Sequence, residues 1–223
     1  MYLRLDQVVG SLLDHLDRTV GAGNYVVALS ADHGVSEIPE QARTSGQDAG
    51  RLSSRSTLET VQNVATEQMG TADYVARVNT NDIYFKPGMY AKLSQSPDAL
   101  KAVVEALAKR PGVQRVFTRE ELAHGADSED PLLRAAALSY VPERGGDLVI
   151  APKAGWMATS DATTHGSANP DDQRVPIVLY GAAFKAGRFA SAATPADIAP
   201  TLASLVGVSL PQAQGRVLRE ALR

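Results

Sequence analysis

Residues 25–35 read YVVALSADHGV. An apolar run rich in valine stops abruptly at Ser30, Ala31, Asp32, His33 and Gly34. Such a run, ending at polar residues and a glycine, predicts a buried parallel strand over 25–30 that delivers side chains at its carboxyl end. In open α/β sheets that edge is where ligands bind. Neighbouring strand residues point to opposite faces, so Asp32 and His33 converge only if the chain leaves the strand there, and Gly34 permits that turn. A carboxylate beside an imidazole suits a divalent metal such as zinc. On these two residues alone the alternative of a plain loop start, with Asp32 as a cap, stays open.

Upstream, Leu5, Val9, Leu12, Leu16 and Val20 recur at helical spacing and predict an amphipathic helix over 2–20. Gly21 and Gly23 stop it before the strand. Downstream, 38–52 is polar and small and reads as a loop near the mouth of a site. The patterns then predict a helix over 54–68, strands over 74–78 and 81–85, a helix over 97–109, a strand over 112–118 and a helical turn over 119–123. This order suits a small α+β unit inserted into a larger sheet. That sheet resumes with DLVIA at 147–151, passes through a small-residue loop at 153–170, and continues with VPIVLY at 175–180. Helices over 195–205, started by Thr194 and Pro195, and over 212–222 close the chain. The division expected is an α/β core from 1–42 and 143–223, with 43–142 as the inserted α+β unit.

Composition narrows the chemistry. With no cysteine, disulfides and thiolate metal sites are excluded, so any zinc must use His with Asp or Glu. A net charge of -3 gives no electrostatic reason to expect nucleic acid or an anionic membrane as partner. No apolar run approaches the length that spans a bilayer; with no secretory leader visible ahead of the first helix, the expectation is either a cytosolic protein or a chain that lacks its natural start. Of the four histidines, His15 reads as a solvated helix residue and His124 as surface. His165 stands in a flexible loop flanked by Thr163, Thr164, Gly166 and Ser167; by itself it too reads as a surface residue.

SADHGVSEIPE at 30–40, ERGGDLVIAP at 143–152, THGS at 164–167, DQRVPIVLYG at 172–181 and TPADIAPTLASLVGV at 194–208 follow one another in this order. Together they resemble the second half of the alkaline phosphatase superfamily. The likeness is strongest to the bacterial monomeric, phosphate-irrepressible type with a threonine nucleophile, related to the nucleotide pyrophosphatase/phosphodiesterases. It implies an α/β/α sandwich with a mostly parallel sheet, and hydrolysis of phosphate monoesters at two zinc ions. Asp32 and His33 match the pair on the zinc nearest the nucleophile, and His165 matches the late histidine on the second zinc. Two metals about 3.5–4 Å apart clamp the attacking and leaving oxygens of an in-line displacement.

The family's Ser or Thr nucleophile and its remaining ligands have no counterpart here, and Ser160, Thr163 and Thr164 do not match the nucleophile's position. The resemblance therefore implies the carboxyl-terminal portion of a longer enzyme, with the amino-terminal half of the fold as its missing partner and a periplasmic or secreted location. Three alternatives remain: a non-catalytic fragment that associates or binds metal weakly, a phosphodiesterase, and a manganese-dependent relative of the cofactor-independent phosphoglycerate mutases.

Overall fold

The structure, a computed structural model, describes residues 2–223. Helix α1 (Tyr2–Leu16) runs into a π-helical turn at Asp17–Gly21, and strand β1 (Val27–Leu29) follows. Next come α2 (Pro39–Thr44), β2 (Gly50–Arg51), α3 (Ser54–Met69), β3 (Val75–Asn79), β4 (Asp82–Phe85), α4 (Met89–Ser94), α5 (Pro97–Ala108), β5 (Val113–Thr118), α6 (Arg119–His124) and α7 (Pro131–Leu138). The remaining elements are β6 (Leu148–Pro152), β7 (Trp156–Met157), α8 (Pro170–Gln173), β8 (Val178–Tyr180) and α9 (Ile198–Leu205). Short 3-10 turns lie at Pro195–Asp197 and Arg219–Ala221. Contacts group the chain into two units, Met1–Asp32 with Val175–Arg223, and His33–Arg174.

The second unit holds the main core. Its four-stranded sheet has the order β3-β4-β6-β5 and is antiparallel throughout. Helices α3 and α5 cover it. Thr57, Val61 and Ala65 of α3, and Ala99, Val103 and Leu107 of α5, repeat every fourth residue and are all buried. Such spacing places them on one stripe of each helix. Leu52, Ile83, Leu93, Leu148 and Ile150 are among the residues that pack with them. A second cluster joins Phe117, Leu122, Ala137 and Ala151 between the sheet and α6–α7. A capping box starts α6: the Thr118 hydroxyl accepts from the Glu121 amide, and the Glu121 carboxylate accepts from the Thr118 amide.

β6 corrects one expectation. DLVIA pairs with β4 and β5 in this antiparallel sheet and does not resume a larger parallel one. A central strand covered on both faces is as uniformly apolar as a parallel strand, so the pattern does not distinguish them. β2 and β7 form a separate two-residue parallel ladder, held where Trp156 lies against Gly50 and Gly112. Gly112 has φ +81, and a Cβ there would fall 2.1 Å from the indole. Only glycine meets both demands.

In the first unit β1 and β8 pair antiparallel, Val27 opposite Tyr180 and Leu29 opposite Val178. The α/β class holds, but the mostly parallel sheet does not: the β2–β7 pair is the one parallel ladder among the described residues. Doubly wound parallel sheets need successive βαβ crossovers, whereas hairpin-linked strands such as β3 and β4 pair antiparallel. α1 buries none of its residues, leaving Leu3, Leu5, Val8 and Leu12 exposed. The expected carboxyl-terminal helix over 212–222 is absent. That segment is instead held extended along the start of α9, where Asp197 accepts from the Arg216 amide at 2.7 Å and Thr201 from the Leu218 amide at 2.9 Å. Those side-chain acceptors capture amides that a helix would need for itself.

Candidate metal-binding site

The site-bearing segments of the second unit are residues 33–36 and 159–172. The His33 and His165 rings, distant in sequence, stack face to face with centroids 3.6 Å apart and an interplanar angle of 9°. Nδ1 of His33 lies 2.6 Å from the carbonyl oxygen of its neighbour Gly34. A proton on Nδ1 makes that contact a hydrogen bond and puts the lone pair on Nε2, the arrangement metal-ligating histidines adopt. Asp32 is exposed and closes the first unit, next in sequence to His33. His15 and His124 are exposed, as their sequence context suggested. Among the described residues no group of three or more His, Asp or Glu side chains is arranged to hold a metal ion.

Two polar anchors fix the loop that carries His165. At its start, Arg51 donates to the Thr159 carbonyl at 2.8 Å, and to the Asp161 and Ala162 carbonyls. The same guanidinium grips Glu40 with two bonds, Nε to Oε1 at 2.8 Å and Nη2 to Oε2 at 2.9 Å. This fork geometry is the strong form of a charged pair. It holds the Glu40 carboxyl down at about 2, chiefly through the hydrogen bonds from Arg51. At the far end stands Asp172, buried to 4% exposure in the short helix α8. Its carboxylate accepts from the Ser167 amide at 2.8 Å, from the Ser167 hydroxyl, and from the Ser36 hydroxyl at 3.3 Å.

Backbone contacts complete the join. The amides of Gly34 and Val35 donate to the carbonyls of Asp172 and Asp171 at 2.6 and 3.1 Å, and the Ser36 amide donates to Thr164 at 3.0 Å. The Thr163 hydroxyl donates to the Ser36 carbonyl. Gly34 has no room for a side chain, since a Cβ would sit 1.9 Å from the Asp171 carbonyl oxygen. The sequence singled out Asp32, His33 and His165; it did not point to Asp172, Ser36 and Arg51, which join the segments of the two histidines. Asn169-Pro170 was the available signal, a helix start that places the following acids in a first turn.

The sequence and structural likenesses place the chain in the alkaline phosphatase superfamily. The family description "Type I phosphodiesterase / nucleotide pyrophosphatase" matches residues 1–175, and the chain belongs to that family. It is 28% identical over 227 residues to a Myroides odoratus protein named a calcium-transporting ATPase, covering 99% of this chain and 41% of that protein. It is also 28% identical over 225 residues to alkaline phosphatase PafA of Elizabethkingia meningoseptica, covering 99% of this chain and 41% of PafA. The crystal structure of wild-type PafA superposes with a TM-score of 0.81 at 27% identity, over all of this chain and 43% of the PafA chain. The chain thus spans about two fifths of the length of the curated relatives it matches.

Proposed function

We propose that this chain carries part of the metal site of a zinc-dependent phosphoric ester hydrolase acting on small phosphate monoesters. The reading rests on the paired imidazoles of His33 and His165. In nearly parallel planes 3.6 Å apart the in-plane lone pairs do not meet at one point, so the pair suits two neighbouring ions better than one. His33 with Asp32 serves one zinc and His165 the other. Imidazole and carboxylate are the zinc donors left to a chain without thiols. Bound zinc supplies Lewis acidity and lowers the pKa of coordinated water. The chain's own residues supply orientation: with Nδ1 protonated, His33 donates to the Gly34 carbonyl, while Arg51 and Asp172 fix the loop of His165.

The nucleophile and remaining ligands come from the rest of a longer enzyme, which also completes the α/β/α sandwich around β1 and β8. A periplasmic or secreted location goes with this reading. The test is zinc content and p-nitrophenyl phosphate hydrolysis in the parent enzyme carrying Asp32→Ala, His33→Ala or His165→Ala. Loss of both zinc and turnover is expected; wild-type behaviour of either histidine variant refutes the assignment. The exposed apolar face of α1 favours a second reading, in which the isolated 223-residue chain associates without catalysing. Robust, chelator-sensitive turnover by that chain alone would reject it.

A further inference from the structure

We infer that Asp172 is a positioning residue whose buried carboxylate locks the His33 segment to the His165 loop and so sets the spacing of the two imidazoles. The link to metal rests on the ligand reading above; the clamp itself does not. Asp172 reaches both strands of the join at once. Oδ2 takes two donors from Ser167, two residues beyond His165, and Oδ1 takes the Ser36 hydroxyl, three residues beyond His33. Its own backbone carbonyl takes the Gly34 amide, next to His33. One residue therefore bonds within three positions of each ring.

The chemistry demands an acceptor-only group. An aspartate presents two oxygens, matched here by three donors, and such charge-assisted bonds are about twice as strong as neutral ones. Asparagine keeps the shape but turns one oxygen into an NH2, which faces a donor and opens one side of the join. The Gly34 close approach makes the clamp unforgiving, because the two backbones already touch.

The experiment uses the 223-residue chain with labelled histidine side chains. Read-outs are the NOE between the His33 and His165 rings, zinc affinity by chelator competition, and methyl resonances of Leu148 and Ile150 as a check on the core. In Asp172→Asn the inter-ring NOE should vanish and zinc affinity should fall on the order of tenfold, as for other outer-shell partners of metal ligands. The core resonances should stay in place. A retained NOE with native core signals overturns the inference. Should Asp172→Asn unfold, Ser167→Ala decides, since it removes the hydroxyl donor while leaving the carboxylate and the Ser167 amide in place: a weakened NOE supports the clamp, an unchanged one overturns it. If His33→Ala and His165→Ala bind zinc like the wild type, the ligand reading fails while the NOE still judges Asp172.

Discussion

Replacing Gly34 by alanine probes the closest backbone approach in the site. The new Cβ would lie 1.9 Å from the Asp171 carbonyl oxygen and 3.2 Å from that of Asp172, where contacts below 3.0 Å essentially never occur. The obstacle is backbone, not a flexible side-chain tip, so residues 33–36 and α8 must separate by at least 1.1 Å, the difference between 3.0 and 1.9 Å. That separation strains or breaks the Gly34 and Val35 amide bonds to α8. Overpacking costs about 1–3 kcal/mol and the two hydrogen bonds about 1 kcal/mol each, so a loss of roughly 3–5 kcal/mol is expected. In melting temperature this is a fall on the order of 10 °C. A shift of about 1 Å in a ligand is also enough to cost on the order of a hundredfold in function, so zinc affinity should drop with stability. The assays are thermal unfolding by circular dichroism and zinc competition. Gly10→Ala is the control: no atom lies within 4 Å of its added methyl in α1, and it should stabilise by about 0.5–1 kcal/mol. A Gly34→Ala protein that melts with the wild type and binds zinc equally well would refute the close-approach reasoning.

Phe117→Ala empties a side chain with no solvent exposure between the sheet and α6–α7, and should cost about 3–5 kcal/mol by urea unfolding. Thr118→Ala removes the capping box of α6 and should cost about 1 kcal/mol in the same assay. Glu40 has its folded pKa depressed from 4.5 to about 2 by Arg51, so its stabilisation is present above the unfolded value and is lost as pH falls from about 4.5 towards 2. The melting temperature of Arg51→Met should accordingly depend less on pH across that window, and salt should shrink the difference between the two proteins.

Of the helices of the second unit, α3 and α5 are long enough to show apolar positions three and four residues apart, as Val61 with Ala65 and Val103 with Leu107, and these two could be read. α4 and α7 were not foreseen: the first is six residues long, and the second hides only Ala137. The carboxyl-terminal segment misled because its apolar spacing is helical, whereas its amides are claimed by Asp197 and Thr201, long-range partners that no local pattern encodes. The orientation of β8 against β1 was hidden for the same reason, since pairing direction is decided by connections and not by strand composition. In the site, motif order singled out the two histidines, but a lone loop histidine carries no sign of its stacking partner. Asp172 was passed over because an Asp-Asp pair in a polar loop looks solvated until the loop folds back over it, even with the Asn169-Pro170 helix start ahead of it.

The seat of Trp156 gives the molecule a built-in optical probe. The chain has a single indole, and it rests on the backbone of Gly50 and Gly112 with its N–H donating to Asp48 at 3.1 Å. Its emission therefore comes from one place, the small ladder two residues ahead of the Arg51-gripped carbonyls. Fluorescence of the unlabelled protein thus follows the opening of that corner separately from the melting of the antiparallel core, which ellipticity records.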